Sequence, residues 1–241
     1  MLHIMQLIPV QTRRFELPQD DLFTVLDGAL RDVQEGDVVL ISSKVVAIGV
    51  GRTLETDTVD KAALVAAEAD LLIPRSYWKS PLTITRSAFI GTSGIDESNA
   101  DGYLVLLPED AFKSAAAIHT YLQKRFSIQN VGVVVTDSHS QPLRRGASGV
   151  AVGFWGFEPV VDHIGKKDLF GREIKIEQSN LVDGLAAAAT VVMGEVAECQ
   201  PVVIARGVPD LTFTEEDRKD TLFVPLTDDT FRVLYEKYLD T

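Results

Sequence analysis

The chain has 241 residues, 46% of them hydrophobic, which is enough for one large domain or two intimate ones with a proper core, and nothing in it reads as disordered. Its 35 acidic residues against 23 basic ones give a net charge of -12, which excludes a general nucleic-acid or anionic-membrane surface, so a polyanion needs a local basic pocket or a metal. A single cysteine, Cys199, excludes an internal disulfide and a Cys-rich zinc site; with no basic leader before Pro9 and no run of about eighteen apolar residues, the expectation is a cytoplasmic protein without a membrane span.

In chain order, Leu2 to Val10 predicts a strand, and Leu22, Val25, Leu26 and Leu30 fall at helical spacing within Asp20 to Val33. Gly36-Asp37 is a turn signal before Val38-Val39-Leu40-Ile41, a β-branched apolar run that reads as a buried strand ending in Ser42-Ser43-Lys44. Alanine-rich Asp60 to Leu72 predicts a helix stopped by Pro74. Leu82 to Thr85 and Tyr103 to Leu107 predict strands. Pro108-Glu109-Asp110 reads as the opening turn of a helix reaching Phe126, with acids at the positive end of its dipole. The strand Val131 to Val135 follows, then a Gly-rich apolar stretch from Gly149 to Phe157 and a turn-rich region from His163 to Arg172. A strand is expected at Ile174 to Ile176, a helix over Asn180 to Met193, a strand at Val202 to Ile204 and a closing helix from Asp228 to Tyr238. Without repeats or linkers, the elements should interleave in one unit spanning 1–241.

The common nucleotide fingerprints are absent: no G-x-x-x-x-G-K-[ST] occurs, and Gly49-Val50-Gly51 lacks the third glycine of a dinucleotide loop. What remains is polar clusters where strands should end. Ser42, Ser43 and Lys44 put two hydroxyls and a mobile ammonium after a buried strand, a combination suited to phosphate oxygens or to a plain solvated terminus. Gly94-Ile95-Asp96-Glu97-Ser98-Asn99 and Thr136-Asp137-Ser138 read as two acidic turns, and turn chemistry alone accounts for the first. The second is more pointed, because five mostly apolar residues deliver Asp137 to a strand mouth, where open α/β sheets bind ligands. If the two meet, Asp96 and Asp137 supply what a hard divalent cation and its nucleotide phosphates require.

Arg144 and Arg145 form a guanidinium pair that suits phosphate or a substrate carboxylate, and pairing with surface acids serves as well. Glu195 follows a helix C-terminus, where a carboxylate is electrostatically unwelcome and calls for a cation. His139 and His163 fit no metal-ligand spacing. Trp78 and Trp155 read as packing or interface residues, with Phe154-Trp155 an alternative floor for a planar ligand.

Taken in order, Gly36 to Lys44, Gly94 to Asn99, Thr136-Asp137-Ser138, Arg144-Arg145-Gly146, Asp168-Leu169-Phe170-Gly171-Arg172 and Met193-Gly194-Glu195 resemble the coenzyme F420-0:gamma-glutamyl ligase family over nearly the whole chain. The resemblance implies an α+β, mixed-sheet fold of two intertwined subdomains, a butterfly-like homodimer, and a GTP-dependent ligase that joins L-glutamate to an acceptor carboxylate with Mg²⁺ or Mn²⁺ bound, two ions in all, and K⁺ a further candidate. It implies Asp96 and Asp137 on one metal, Ser138 and Glu195 on a second, and Ser42, Ser43, Lys44, Asn99, Gly194 and Glu195 at the nucleotide, with the loop from Met193 to Pro201. Family members often carry threonine where Ser138 stands. Asp137, Arg144 and Arg145 are the expected catalytic residues. The segment Pro9 to Arg13 and the helix before Pro74 look closer to a bacterial branch than to the deazaflavin enzymes of archaea, and related proteins glutamylate folates, so a pterin acceptor competes with a deazaflavin. Two other classes stay open: a metal-dependent phosphohydrolase, and a nucleotide-binding protein without catalysis.

Overall fold

An apolar run without polar alternation must be covered on both faces, and the central strands of this chain are. The computed structural model describes residues 4–77 and 80–239; Trp78 lies outside them. The elements are β1 (Gln6–Val10), α1 (Leu22–Ala29), β2 (Val38–Ser42), α2 (Ser43–Gly49), β3 (Thr53–Glu55), α3 (Lys61–Glu68), β4 (Leu71–Ile73), β5 (Leu82–Thr85), β6 (Ala88–Gly91), β7 (Tyr103–Val105), α4 (Ala111–Phe126), β8 (Gly132–Ser140), β9 (Ala147–Trp155), β10 (Val160–Asp162), β11 (Gln178–Asn180), α5 (Leu181–Met193), β12 (Val202–Arg206) and α6 (Lys219–Leu222).

The main sheet runs β1-β12-β2-β8-β9, with β2 and β8 parallel and the other neighbours antiparallel, so the fold is α+β around a mixed sheet, as expected. Smaller sheets pair β3 with β7, β4 with β5 and β6, and β10 with β11. Strand alternation divides the core. Val39, Ile41, Val133 and Val135 pack with Leu26, Val46 and Ile118 from α1, α2 and α4. Val38, Leu40 and Val134 pack on the opposite face with Val182, Leu185 and Ala189 of α5. Each such fully buried aliphatic side chain contributes roughly 1.5–3 kcal/mol. The Gly-rich stretch after Gly149 is strand β9, and its glycine has a packing reason: a Cβ at Gly149 would collide with the Ala186 carbonyl and the Thr190 hydroxyl of α5. Among the described residues, no helix is long and apolar enough to cross a membrane.

Several expectations are corrected. The strand Val38–Ser42 turns directly into α2, so Ser43 and Lys44 open a helix instead of a loose terminus. The helix expected up to Leu72 ends at Glu68, because the Asp70 N–H is taken by the Ile84 carbonyl and Leu71–Ile73 pairs with β5. Pro74 is therefore not its stop signal. Asp110 is the N-cap of α4, its carboxylate accepting from the Lys113 N–H, and Pro108 and Glu109 lie ahead of the helix. Ile174 to Ile176 is irregular, and the closing helix is reduced to 3₁₀ turns at Arg232–Leu234 and Glu236–Tyr238, held by the buried Tyr235, whose hydroxyl donates to Asp229 at 2.8 Å.

Candidate active site

The parallel register of β2 with β8 builds the site. Ser42 pairs with Thr136, so β2 ends there while β8 runs on to Ser140 after an irregularity between Val135 and Thr136. Asp137 is thus the first residue of β8 beyond its partner, inside a strand and not in a turn as the sequence suggested. Overhead, the chain leaving β2 becomes α2. A cleft of about 570 Å³ opens at this point, lined by Ser42, Lys44, Asp96, Ser98, Asn99, Asp137, Ser138, Gly194 and Glu195 among others.

Lys44 organises the cluster. Its ammonium lies 2.6 Å from Asp96 Oδ2 and donates to the Ser98 carbonyl and hydroxyl, each at 2.9 Å. The Ser98 N–H and hydroxyl in turn donate to Asp96 at 2.7 and 2.8 Å. Asp96 itself is fixed by paired backbone bonds to Val105. Burial raises the Asp96 carboxyl, but Lys44 and Ser98 outweigh it and hold Asp96 below its ordinary value.

Asp137 is left less well compensated. Burial pushes its carboxyl up to about 6, with the charge of Asp96 adding to the effect, while the Ser138 N–H, the Ser43 hydroxyl and Lys44 act against it. Two carboxylates that share one lysine leave room for a further cation. The donors are all oxygen, namely carboxylates and the hydroxyls of Ser42 and Ser138, which is the set a hard ion such as Mg²⁺ or Mn²⁺ takes. Among the described residues, no group of three or more His, Cys, Asp or Glu side chains could hold a metal. An ion here would therefore draw its remaining ligands from hydroxyls, water or a bound phosphate.

The far wall is the loop after α5. Gly194 stands at φ 78°, and a Cβ there would collide with the Glu198 carboxylate, so only glycine lets the loop fold back on that side chain. Glu198 accepts from the Val196 N–H at 2.9 Å, and this bond, its own N–H and that of Ala197 hold it below its ordinary value. Asn99 donates to the Val196 carbonyl at 2.6 Å and so ties the two walls together.

The predicted residues separate as follows. Asp96, Asp137, Ser138, Ser42, Lys44, Asn99, Gly194 and Glu195 all line the cleft, Glu195 exposed and without an ion-pair partner among the described residues. Ser43 is off the lining: it is buried, and its hydroxyl supports Asp137 from behind. Arg144 and Arg145 are not brought in. They sit exposed on the connection between β8 and β9, next to Leu143, which is 96% exposed, because β8 continues past the cleft before the chain turns. The segment Asp168 to Arg172 is a separate exposed turn closed by Asp168, which accepts from the Phe170 and Arg172 N–H groups. Phe154 is buried against Phe112 and Phe157 and Trp155 packs on the core, so neither floors a ligand site. His139 and His163 meet Phe89 and Ser179, away from the cleft.

Glu198 lies in the loop expected at the nucleotide, whereas sequence reasoning gave the rim residues Thr12, Arg13 and Arg14 no place in the site. The signal for the arginines was present, since an adjacent Arg pair following the first strand of an acidic chain is the same cue that singled out Arg144 and Arg145.

Comparison with known proteins agrees over nearly all of the chain. The family described as F420-0:gamma-glutamyl ligase matches residues 16–207. The coenzyme F420:L-glutamate ligase of Methanopyrus kandleri is 33% identical over 90% of this chain and 93% of its own. That of Halorubrum lacusprofundi is 36% identical over 88% and 90%, and that of Methanocaldococcus jannaschii 31% over 83% and 86%. With the acidic blocks gathered in one cleft and the match spanning most of the fold, this chain belongs to the F420-0:gamma-glutamyl ligase family and is an amide-forming ligase.

Proposed function

We propose that the cleft binds GTP with a divalent cation and joins the amine of L-glutamate to an acceptor carboxylate, by way of an acyl phosphate, as a coenzyme F420-0:L-glutamate ligase. The observation that carries this reading is the convergence of Asp96, Asp137 and Lys44 in one cleft with Asp137 under-compensated. A carboxylate and an amine do not condense unaided, and phosphoryl transfer to the acceptor gives it a leaving group. Such transfer depends on positioning and charge neutralisation. When bound, Mg²⁺ or Mn²⁺ would neutralise phosphate charge and polarise the transferring group. Asp96 and Asp137 would hold it, with Ser138 and Glu195 on the side of a second ion; the oxygen donors supply no preference between these metals, and K⁺ stays a further candidate.

Lys44 would meet phosphate oxygens if a metal took over Asp96, and Ser42, Asn99 and the loop over residues 194–200 would offer hydroxyl, amide and backbone donors from the two walls. The acceptor follows from the relatives, which are named for coenzyme F420, so a deazaflavin is the first choice and a folate the second. A homodimer belongs to the same reading; Leu169, Phe170 and Ile176, 99%, 87% and 88% exposed, are apolar surface on which a second copy would pack. So does a cytoplasmic setting, which suits the free, exposed Cys199.

Purified protein incubated with GTP, Mg²⁺, glutamate and a panel of deazaflavin and folate acceptors tests this by mass spectrometry. A glutamyl adduct on a deazaflavin is the expected product. Phosphate release without glutamate would instead make the protein a phosphohydrolase, and neither product would make it a silent nucleotide binder.

A further inference from the structure

The rim of the cleft carries a cation that the cluster around Asp137 does not use. Among the described residues, the basic side chains on the cleft lining are Arg13, Arg14 and Lys44. Lys44 is committed to Asp96 and Ser98. Arg13 is committed to Asp20, with bonds of 2.5 and 2.9 Å from its two terminal nitrogens. Among the described residues, the Arg14 guanidinium pairs with Asp101 alone, at 3.4 Å, and the two side chains are 81% and 80% exposed. An ion pair that long and that solvated contributes little, so the guanidinium is free to change partner.

The backbone beneath Arg14 is held firmly. Asp20 accepts from the Glu16 N–H at 2.9 Å, Arg13 donates to the Arg14 carbonyl at 2.9 Å, and the Thr12 N–H donates across the cleft to the Cys199 carbonyl at 3.0 Å. A pinned backbone bearing an under-used guanidinium on a cleft wall is what a carboxylate-binding fork needs.

We propose that Arg14 holds a carboxylate of the incoming amino acid. The assignment rests on the ligase reading above. It favours the amino acid over the acceptor for a chemical reason. The acceptor's carboxylate is phosphorylated and then becomes an amide, so it must give up its charge, and a fixed cation on it would stabilise the ground state against reaction. Both carboxylates of glutamate keep their charge from binding to product. A permanent guanidinium at the rim therefore serves glutamate through the whole turnover and fixes the amine beside it. The hairpin arginines, exposed beyond the cleft of their own chain, leave this role open.

Steady-state kinetics of Arg14→Ala and Arg14→Lys test it, with glutamate, GTP and acceptor varied in turn. Expected for Arg14→Ala is a rise in KM for glutamate of about 10- to 100-fold, the range for a lost charged hydrogen bond, with the KM values for GTP and acceptor within about twofold. Arg14→Lys should recover part of it. Glutamine and isoglutamine, which lack the γ- and α-carboxylate charge respectively, identify the group: wild type rejects both relative to glutamate, and Arg14→Ala loses the discrimination against one. An unchanged glutamate KM, an equal rise for GTP or acceptor, or intact discrimination against both amides overturns the assignment. If wild type forms no glutamyl amide at all, the ligase reading falls and takes this with it; an active wild type with an unaffected variant sinks the role of Arg14 alone.

Discussion

The two ends of the central strands treat a carboxylate in opposite ways. Asp37, just ahead of β2, is 1% exposed and fully engaged: it accepts from Arg206 at 2.9 and 2.8 Å and from the Gln34 N–H at 2.8 Å. Its hydrogen bond is the main reason Arg206 is held above its ordinary value. At the far end, Asp137 and Asp96 share Lys44, and the Asp137 carboxyl is pushed up to about 6. A carboxylate with its own guanidinium and a backbone donor is a staple, and it leaves nothing for a ligand. One that is half-buried, crowded by a like charge and short of cations costs stability by itself, and a bound cation would offset it.

The largest effect should come from Asp137→Asn. On the proposed reading, glutamyl-amide formation falls about 10³-fold or more, because the charged oxygen that would meet the metal and phosphates is lost while the shape is kept. Stability moves the other way. Asp137 takes up its proton at about 6 in the folded chain and at about 3.9 unfolded, so between those values the folded state binds more protons and is stabilised by acid. In chelator, wild type is therefore less stable than Asp137→Asn above pH 6, by on the order of 1–2 kcal/mol, and the gap closes as pH falls toward about 4. Thermal melts at several pH values read this directly. A variant less stable than wild type at every pH would mean that Asp137 is a staple like Asp37.

Arg206→Ala probes the other end. It leaves Asp37 buried with a single backbone donor, and losing one partner of such a pair costs about 3 kcal/mol. Denaturant midpoints should fall accordingly, while turnover per folded molecule is unchanged. Lost turnover with intact stability would break the contrast between the two ends.

Much of this geometry was legible in sequence, and the failures have a common cause. Val38 to Ile41 announces a strand buried on both faces, and Leu22, Val25, Leu26 and Leu30 announce an amphipathic helix, because each pattern is set by the faces that one element buries. Asp96 and Asp137 could be singled out as candidates since each sits where an apolar segment gives way to polar residues. Their meeting depends on the pairing of Ser42 with Thr136, which no local pattern encodes. Elements whose identity comes from a partner were missed: β4 lies within an alanine-rich, helix-like run and is a strand only because β5 pairs with it. The hairpin between β5 and β6 turns through Arg86 and Ser87 at φ 51° and 62°, without the glycine or asparagine that would have announced it. The hairpin arginines were over-read for a related reason, since proximity to Asp137 in sequence is lost once β8 continues as a strand and carries the chain away.

The smallest expected effect shows that the cleft end is not short of pairing everywhere. Asp20 lies behind the rim, and Arg13, ahead of the Glu16 and Asp21 N–H groups, lowers its carboxyl to about 2. A carboxyl depressed in the folded state gives stability that is complete above the unfolded value of about 3.9 and is lost as pH falls through about 2. Asp20→Asn should therefore melt slightly below wild type at neutral pH, with the difference shrinking only in strong acid, and the effect is small because the Arg13 side chain is 46% exposed and screened by solvent. The same variant frees Arg13 from its anchor and so loosens the Arg14 carbonyl without removing the Arg14 charge. Its glutamate KM should rise less than that of Arg14→Ala. If the two rises are equal, the rigidity of the rim governs amino-acid binding more than the guanidinium it carries, and Asp20 joins Asp37 as a staple whose consequence is felt in the cleft.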